Sequence, residues 1–542
     1  MNNNRYQLVE KSIFYLTFVI FFIIGVKSFQ DYGISLDEKW HRETGVLFYN
    51  YIKGFFFELN NLQKVDAFTI KEIIQNVDKS PATHPVVFDL PIEFIIDLFG
   101  IKNSYQIFQL RHFISFFYFL ISIYFFYKIL RKRFFSKIYS YIGILILFLS
   151  PRIFSESFYN NKDIFFLSLT IINIYTAINL INKPSLKSSI FFSLTAALAF
   201  DVRVMALLFI AVTYFIILIK SFERKNYFRE NFKFFLLTMI FFPTFIIVFW
   251  PFLWLGVLDN LIFYFQNIPK MPVLSFYLGD YIYPQNTPWH YNLVWILITS
   301  PITVIIFFVI GFFGIFLRNI KRLFKIDINI NNLWNGNKEM YDSYFLYIIL
   351  ISFLAIIKFD FNFDGWRHIY FIYPFIITLS LSGIYFLNIL IQKKIFKITI
   401  FSIVFFEIIF LAYWNFKNHP YQYVFFIPIF KNYAKNNFDL DYWGLSNKSA
   451  LEYIIEVDDG EKIKVSRGSF TSLESSLLIL QEEAANRISI VNDLKEADYV
   501  IDNYRKGWGE IKNIHLLSSK FVKLYDIKVD DIIINTIYKK IN

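Results

Sequence analysis

Apolar stretches about 20 residues long, the length that a helix needs to cross a bilayer, recur from the N-terminus to residue 415. Short polar stretches that are rich in Lys and Arg separate them. The pattern predicts about eleven membrane-spanning helices. They lie near residues 12–30, 106–130, 134–150, 164–182, 188–202, 204–220, 232–254, 291–317, 343–358, 369–391 and 397–415.

Two regions depart from this pattern. A long first loop, about 31–105, contains a polar helical stretch at 68–77 and an amphipathic one at 91–100, which we expect to lie on the membrane surface. After residue 415 the hydropathy falls to that of a soluble domain. There the pattern predicts helices at 446–455 and 472–485 and strands at 462–466, 498–502 and 531–538. The predicted fold class is an all-α polytopic membrane domain, 1–415, followed by a small α/β domain, 416–542.

Composition supports a membrane protein and excludes several other classes. The chain has 56% hydrophobic and 18% charged residues, whereas soluble domains have about 25% charged residues. The absence of Cys excludes thiolate metal sites and Cys nucleophiles. From Lys417 onward 17 Lys and Arg face 18 Asp and Glu, a charge of −1, so the net +11 leaves +12 on the membrane region.

That positive charge gathers in alternate loops, which predicts a cytoplasmic N-terminus and places the first loop and the C-terminal domain outside the cytoplasm. The positive-inside rule explains the charge without a nucleic acid partner.

Ionisable residues follow the first predicted span, in the stretch from Ser35 to Gly45. Ser35 and Glu38 have the spacing of a capping box, which predicts a helix with Ser35 as its N-cap. Glu38 and Arg42 have the spacing of an ion pair, whereas Asp37 and His41 fall at i and i+4 on the neighbouring helix face. Asp37 is then left without a local cation, and it is either an ordinary acidic residue of the first turn or a functional carboxylate.

Other ionisable residues lie at the same predicted end of the spans. Asp163 follows Asn160 and Asn161 and is either a helix cap or a second functional carboxylate. His84 precedes a Pro, which holds the backbone extended. The cations near this interface are Arg111, His112, Arg203, Arg367 and His368. We expect Asp201 to pair with Arg203, and Arg367 either to pair with Asp364 or to bind an anionic ligand.

Four of these features resemble one family. Asp37-Glu38 after the first span, His84-Pro85 in a long loop, Asp163, and the run from Arg367 to Pro374 resemble membrane glycosyltransferases of the GT-C fold. The likeness is nearest to the protein mannosyltransferase and aminoarabinose-transferase branch, and it covers about residues 1–415. One departure is Val86, which stands where the family usually has a second Pro.

The resemblance implies an enzyme of the plasma (inner) membrane that transfers a sugar from a polyprenyl-phosphate carrier to a protein, glycan or lipid acceptor. Asp37 would be the general base of a direct inverting displacement, with Glu38 as the second candidate. Asp163 would orient the acceptor or share a divalent cation with Asp37, and the sequence leaves this cofactor open. Cations such as Arg203 and Arg367 would stabilise the leaving phosphate. The remaining candidate substrate-binding residues are His41, His84, Arg111 and His368.

The main alternative is a transporter or flippase for envelope lipids. Such proteins tend to have internal repeats, broken helices and ionisable groups at mid-membrane. The sequence has no evident repeat, its predicted spans are apolar through their middles, and we expect unbroken helices. These features favour the enzyme.

Overall fold

The computed structural model describes residues 2–57, 85–224, 226–266, 273–324, 332–358, 362–506 and 520–541. The predicted helix at 68–77 and the candidate residue His84 lie outside these ranges. All structural statements below concern the described residues.

Helices make up most of the chain before residue 418. The first ten helices described are α1 (Asn2–Ser28), α2 (Glu38–Phe57), α3 (Asp89–Leu98), α4 (Ser104–Phe134), α5 (Lys137–Leu149), α6 (Pro151–Tyr159), α7 (Asp163–Asn182), α8 (Leu186–Val202), α9 (Ala206–Glu223) and α10 (Tyr227–Phe249). The next are α11 (Val257–Gln266), α12 (Tyr291–Thr299), α13 (Ile302–Leu323), α14 (Asn337–Lys358), α15 (Tyr373–Leu390) and α16 (Lys394–Lys417). A 3₁₀ turn, Arg367–Ile372, leads into α15, and a short hairpin of β1 (Ser275–Tyr277) and β2 (Asp280–Ile282) precedes α12.

Eight helices in the described part of the chain are long and apolar enough to cross a membrane. They are α4, α7, α9, α10, α13, α14, α15 with its preceding 3₁₀ turn, and α16. The bent pair α5 and α6 would make a ninth span. The chain is therefore a multi-pass membrane protein, as predicted. The other two predicted spans fall in shorter helices, the apolar part of α1 (Ser12–Ser28) and α8.

One predicted span is broken, and a second apolar helix ends in a sharp bend at its predicted boundary, which corrects the expectation of unbroken helices. Between α5 and α6 the axis bends by 61° at Ser150-Pro151. The predicted span at 291–317 divides into α12 and α13 at Ser300-Pro301. Proline lacks a backbone N–H and clashes with the preceding helical turn, so it starts a new helix at these points. The bend leaves α6 as a half-helix in which every residue is buried.

The C-terminal domain contains a five-stranded mixed sheet, which agrees with the predicted α/β class. Its strands are β3 (Ile463–Arg467), β4 (Ile488–Ile490), β5 (Tyr499–Asp502), β6 (Phe521–Val529) and β7 (Ile532–Lys540), in the order β4-β3-β5-β7-β6. β3 is parallel to β4 and β5, and β7 is antiparallel to β5 and β6. Its helices are α17 (Lys431–Asn437), α18 (Ser446–Val457), α19 (Leu473–Leu477) and α20 (Glu482–Asn486). The single helix predicted at 472–485 is thus two short helices. The domain boundary at 415/416 stays a prediction.

The segment that joins α16 to the sheet packs back onto the helical bundle. Near the end of α16, Asn415 donates to the carbonyl of Leu149 over 2.8 Å, and in the joining segment the Ile427 amide donates to the carbonyl of Ile298 over 2.9 Å. The Asp439 amide donates to the carbonyl of Phe276 in the hairpin over 3.1 Å. Residues 439–443 lie against α6 and the 3₁₀ turn before α15, since the Tyr442 hydroxyl donates to Glu156 over 3.0 Å and the Trp443 ring contacts Arg367. The candidate site lies there.

Candidate active site

One guanidinium joins the two carboxylates that the sequence analysis singled out. Nη1 of Arg367 donates to Oδ2 of Asp37 over 2.9 Å and to Oδ2 of Asp163 over 3.3 Å. Asp37 lies in the turn before α2, Asp163 is the first residue of α7, and Arg367 opens the 3₁₀ turn before α15. Residues far apart in the chain thus meet at three helix ends.

The carboxylate of Asp163 is fully buried and both of its oxygens have partners, whereas the side chain of Asp37 is partly exposed to solvent. Arg203, at the end of α8, forms an ion pair with Oδ1 of Asp163. Asn160 donates its side-chain amide to Oδ2 over 3.1 Å and accepts from the Asp163 amide over 2.9 Å, so it contacts Asp163 at two points. The side chain of Asp37 is 33% exposed and that of Asp163 is 0% exposed. Asp37 is therefore the carboxylate that a substrate can reach.

Arg367 is held from several sides. Nη2 donates to Oδ2 of Asp364 over 3.4 Å, so the partner expected from sequence is present beside the two carboxylates. Its guanidinium carbon lies 4.6 Å from the ring centroid of Trp443 and 4.9 Å from that of Phe363. Cation–π contact and ion pairing together fix the plane of the group. The neighbouring His368 is buried, with its ring centroid 4.5 Å from that of Phe363.

A small cavity of about 10 Å³, room for about one water molecule, lies next to the cluster. Its polar lining comes from His41, Asp89, Asn161 and Lys162, and Phe88 and Phe165 contribute apolar walls. Nδ1 of His41 lies 2.8 Å from Oδ1 of Asn161. Burial, and after it the charge of Lys162, lowers the pKa of His41 to about 4, so the ring is neutral near pH 7. Burial, and after it the charge of Arg203, lowers the pKa of Lys162 to about 7.

The environment of Asp37 contains opposing effects. Burial disfavours its charged form, but the adjacent Arg367 and the nearby His41 and Lys162 more than offset that cost, and the pKa of Asp37 is lowered. The carboxylate is therefore ionised near pH 7. A carboxylate with a low pKa is a weaker general base, so the basicity of Asp37 depends on how strongly Arg367 binds it.

Glu38 belongs to a different, dry cluster. Its Oε2 lies 3.2 Å from Nε2 of His112, and its Oε1 lies 3.8 Å from Nε of Arg111. Arg111 also donates to Oδ1 of Asp89 over 2.6 Å and lies 4.0 Å from Glu93. The side chains of Glu38 and Arg111 are 1% and 0% exposed. Arg111 and Glu38, both expected near substrate, instead join α2, α3 and α4.

Three expected local contacts are corrected. Helix α2 begins at Glu38, and the Ser35 hydroxyl donates to the carbonyl of Tyr159, so Ser35 and Glu38 do not form a capping box. Arg42 pairs with Glu93 rather than with Glu38.

The third correction concerns Asp201, which accepts from the Val87 amide over 3.2 Å while Arg203 pairs with Asp163. In each case a partner from another part of the chain displaces the partner nearby in sequence.

Several residues of the site were not predicted from sequence. Lys162 and Asn161 directly precede Asp163 in the chain. Their position next to a candidate carboxylate is the signal in the sequence that could have identified them. Glu156, on the buried half-helix α6, accepts from Asn160 and from the Tyr370 hydroxyl, each over 2.7 Å. Trp443 and Arg505 come from the C-terminal domain and carry no local signal, because only the tertiary fold brings them to the site.

The arrangement does not fit a shared metal ion at the two carboxylates. Arg367 donates to both Asp37 and Asp163, so a positive group already lies where the cation would bind. In the described ranges no group of three His, Asp or Glu side chains is placed to hold a metal. A divalent cofactor stays a prediction from sequence, and no chemical step below uses one.

A multi-pass helical bundle followed by a small sheet domain agrees with the fold class expected from sequence. Residues 83–253 match the family model described as dolichyl-phosphate-mannose-protein mannosyltransferase. This stretch includes Arg111, Asp163 and Arg203. The match confirms the resemblance to GT-C glycosyltransferases over these residues.

Solved structures of one protein are similar along the whole chain. The crystal structure of ArnT from Cupriavidus metallidurans in the apo state has 10% sequence identity and a TM-score of 0.45, covering 98% of each chain. The structure of the same protein bound to undecaprenyl phosphate has 10% identity and a TM-score of 0.44, covering 97% of each chain. No curated protein sequence matches the chain.

Proposed function

We propose that the chain is a membrane glycosyltransferase that moves a sugar from a polyprenyl-phosphate carrier to a hydroxyl of an envelope acceptor on the outer face of the membrane. The observation that supports it best is the Asp37–Arg367–Asp163 bridge, which combines a solvent-accessible carboxylate with a fixed cation. The mannosyltransferase match over 83–253 supports the same class.

In the proposed reaction the acceptor hydroxyl attacks the anomeric carbon, and Asp37 takes its proton. The bond between that carbon and the phosphate oxygen breaks, and the electron pair leaves with the polyprenyl phosphate. One displacement inverts the anomeric centre. A positioned base contributes about 10²–10⁴-fold to such a rate. The phosphate is a good leaving group and needs charge stabilisation rather than an acid.

Cations beside the base suit that requirement. Arg367 and Arg203 flank Asp163, and Lys162 lines the adjoining cavity. We propose that Arg367 and Lys162 contact the donor phosphate and that Asp163, which is fully buried, holds Arg367 and Arg203 in place. Neutral His41 would bind a sugar or acceptor hydroxyl through Nε2, since its Nδ1 contacts Asn161.

The bridge also suggests how the base becomes active. Without substrate, the charge of Arg367 lowers the pKa of Asp37. A bound phosphate would share that charge, weaken its hold on Asp37 and raise the basicity of the carboxylate. Donor binding would thus prepare the base for the acceptor.

The test is turnover by the purified protein in nanodiscs, with radiolabelled polyprenyl-phosphate sugars and mixed envelope acceptors. We expect wild type to release polyprenyl phosphate and Asp37→Asn to lose about 10²–10⁴-fold in turnover, because the amide cannot accept the proton. Asp97→Asn is the matched control, since Asp97 is an exposed carboxylate that binds Tyr49 and Lys53.

Glu38→Gln separates the two candidate bases. Since Glu38 is buried against His112 and Arg111, we expect this variant to keep its turnover per folded molecule. Equal turnover by Asp37→Asn and wild type would refute Asp37 as the base. No turnover with any donor would contradict the proposed function, and a lipid flux assay would then test the transporter alternative.

A further inference from the structure

We infer that Arg505, in the C-terminal domain, is a positioning residue that acts through Asp364 to set the guanidinium of Arg367 between Asp37 and Asp163. The inference rests on the proposed function, because it gives the C-terminal domain a part in the same reaction. By this inference the C-terminal domain helps to hold an active-site arginine in place, in addition to any contact with an acceptor.

The geometry is a chain of buried ion pairs from the sheet domain to the site. Arg505 follows β5, and its guanidinium pairs with Asp364 and with Asp439. Asp364 presents its second oxygen to Nη2 of Arg367 over 3.4 Å. The side chains of Arg505, Asp364 and Arg367 are 1%, 4% and 5% exposed. One carboxylate therefore bridges two guanidinium groups out of contact with water.

Each member of the chain is held in place by other contacts. Asp439 accepts from the Phe276 amide over 2.7 Å, and the Asp364 amide donates to the Ser275 hydroxyl over 3.3 Å. The hairpin strand β1 thus contacts the carboxylate of Asp439 and the backbone of Asp364. Asp364 also has a φ of +54°, an unusual conformation for a residue other than glycine. A conformation of that kind persists only where its surroundings fix it.

Removal of Arg505 has a defined physical consequence. Asp364 would lose one of its two cations, so the balance of charges that holds the guanidinium of Arg367 between Asp364, Asp37 and Asp163 would shift. A displacement near 1 Å in an active site can cost about 10²-fold in rate. The Trp443 ring, 4.6 Å from the guanidinium carbon of Arg367, is a second contact from the same region. The C-terminal region therefore touches Arg367 directly and holds it indirectly.

The experiment compares Arg505→Met, Arg505→Lys and Arg487→Met as full-length protein in nanodiscs. We expect Arg505→Met to lower kcat by roughly ten- to a hundredfold with a donor KM that stays within about twofold. Arg505→Lys should restore part of the loss because it keeps the charge. Arg487 is the matched control, since it lies in the same domain and its guanidinium contacts the backbone carbonyls of Ile455 and Gly460.

A double-variant cycle tests whether Arg505 acts through Asp364. If it does, adding Arg505→Met to Asp364→Asn lowers kcat little further, because the route is already cut. Multiplied losses would overturn the inference. So would a kcat loss in Arg505→Met no larger than that in Arg487→Met.

A second readout does not depend on turnover. Hydrogen exchange should speed up in the peptide containing residues 362–372 for Arg505→Met and stay at the wild-type rate for Arg487→Met. Unchanged exchange there in Arg505→Met would overturn the inference even if activity falls. If wild type itself fails to turn over, the proposed function fails, and the exchange result alone decides whether Arg505 positions Arg367.

Discussion

Asp37 and Glu38 are neighbours in the chain, yet they belong to two ionic clusters with opposite access to water. The Asp37 cluster contains Arg367 and Asp163, and Asp37 itself is 33% exposed. The Glu38 cluster contains Arg111 and His112, and all three of its side chains are at most 1% exposed. Both clusters combine carboxylates with a buried arginine, so composition alone does not distinguish them.

The difference lies in where the carboxylate sits relative to α2. Asp37 precedes the helix, whereas Glu38 is its first residue and points between α2, α3 and α4. A buried, fully engaged cluster stabilises the contact between helices, while a cluster with an open carboxylate can exchange partners with a substrate. We therefore regard the Glu38 cluster as structural and the Asp37 cluster as functional.

Arg111→Met is expected to have the largest effect, on stability rather than on chemistry. The change leaves Glu38, Asp89 and Glu93 in a dry site without their shared cation. Breaking a buried ion pair by removing one partner costs about 3–5 kcal/mol. We expect a marked fall in the thermal unfolding temperature in detergent, with turnover per folded molecule retained.

Arg42→Met is the control for that prediction. Arg42 pairs with Glu93, but its side chain is 27% exposed, and partly exposed pairs contribute only about 0–1 kcal/mol. If Arg111→Met unfolds at the wild-type temperature and instead loses turnover, the two clusters have been assigned the wrong roles.

Arg367→Lys should have the next largest effect, on turnover. Lysine keeps the charge but offers a single ammonium in place of a planar fork, and it cannot hold Asp37, Asp163 and Asp364 in the same geometry. Loss of one fixed donor at a site of developing charge costs about 10²–10³-fold in kcat. Steady-state kinetics in nanodiscs would measure it, with the unfolding temperature recorded for the same samples.

Arg224→Lys is the matched control, because Arg224 is an exposed arginine whose partner is Glu230. An Arg367→Lys variant with wild-type kcat would show that geometry at this position is unimportant. The functional reading of the Asp37 cluster would then lose its main support.

The sequence predicted the membrane class and the local elements well, because they depend on residue patterns. Hydropathy gave the helices, and alternation gave the strands at 462–466 and 531–538, which match β3 and β7 within a residue or two. The break at Pro301 was missed because apolar stretches continue on both sides of that proline, whereas the span predicted at 134–150 ended before Pro151 and the half-helix α6 fell outside the predicted spans. At Pro301 the length of the apolar stretch was given more weight than the absence of a backbone N–H on the proline.

Partners within the site were predicted less well. Spacing rules paired Glu38 with Arg42 and Asp201 with Arg203, but long-range contacts formed instead, since spacing describes only neighbours along the chain. Arg505 and Asp364 lie 141 residues apart, and no local pattern connects them. The candidate residues Asp37, Asp163, Arg203 and Arg367 did meet, because each is an ionisable residue at the end of a predicted span.

The smallest expected effect is a dependence on pH. It tests whether Lys162, which lines the cavity, takes part in donor binding. Burial, and after it the charge of Arg203, lowers the pKa of Lys162 to about 7, so Lys162 loses its charge as pH rises through that value. The phosphodiester of the donor does not titrate there. If Lys162 contacts that phosphate, the donor KM should rise by about tenfold above pH 7, since a charge-assisted bond contributes about 1.5–3 kcal/mol.

The stability of the protein should increase over the pH range in which donor binding weakens. The unfolded chain binds more protons above pH 7, so the free energy of unfolding increases with pH. Lys162→Arg should keep a low KM across the range, and Lys102→Arg, on the surface, should follow wild type. A wild-type KM that stays flat with pH would separate Lys162 from donor binding and confine the functional cluster to Arg367 and its carboxylates.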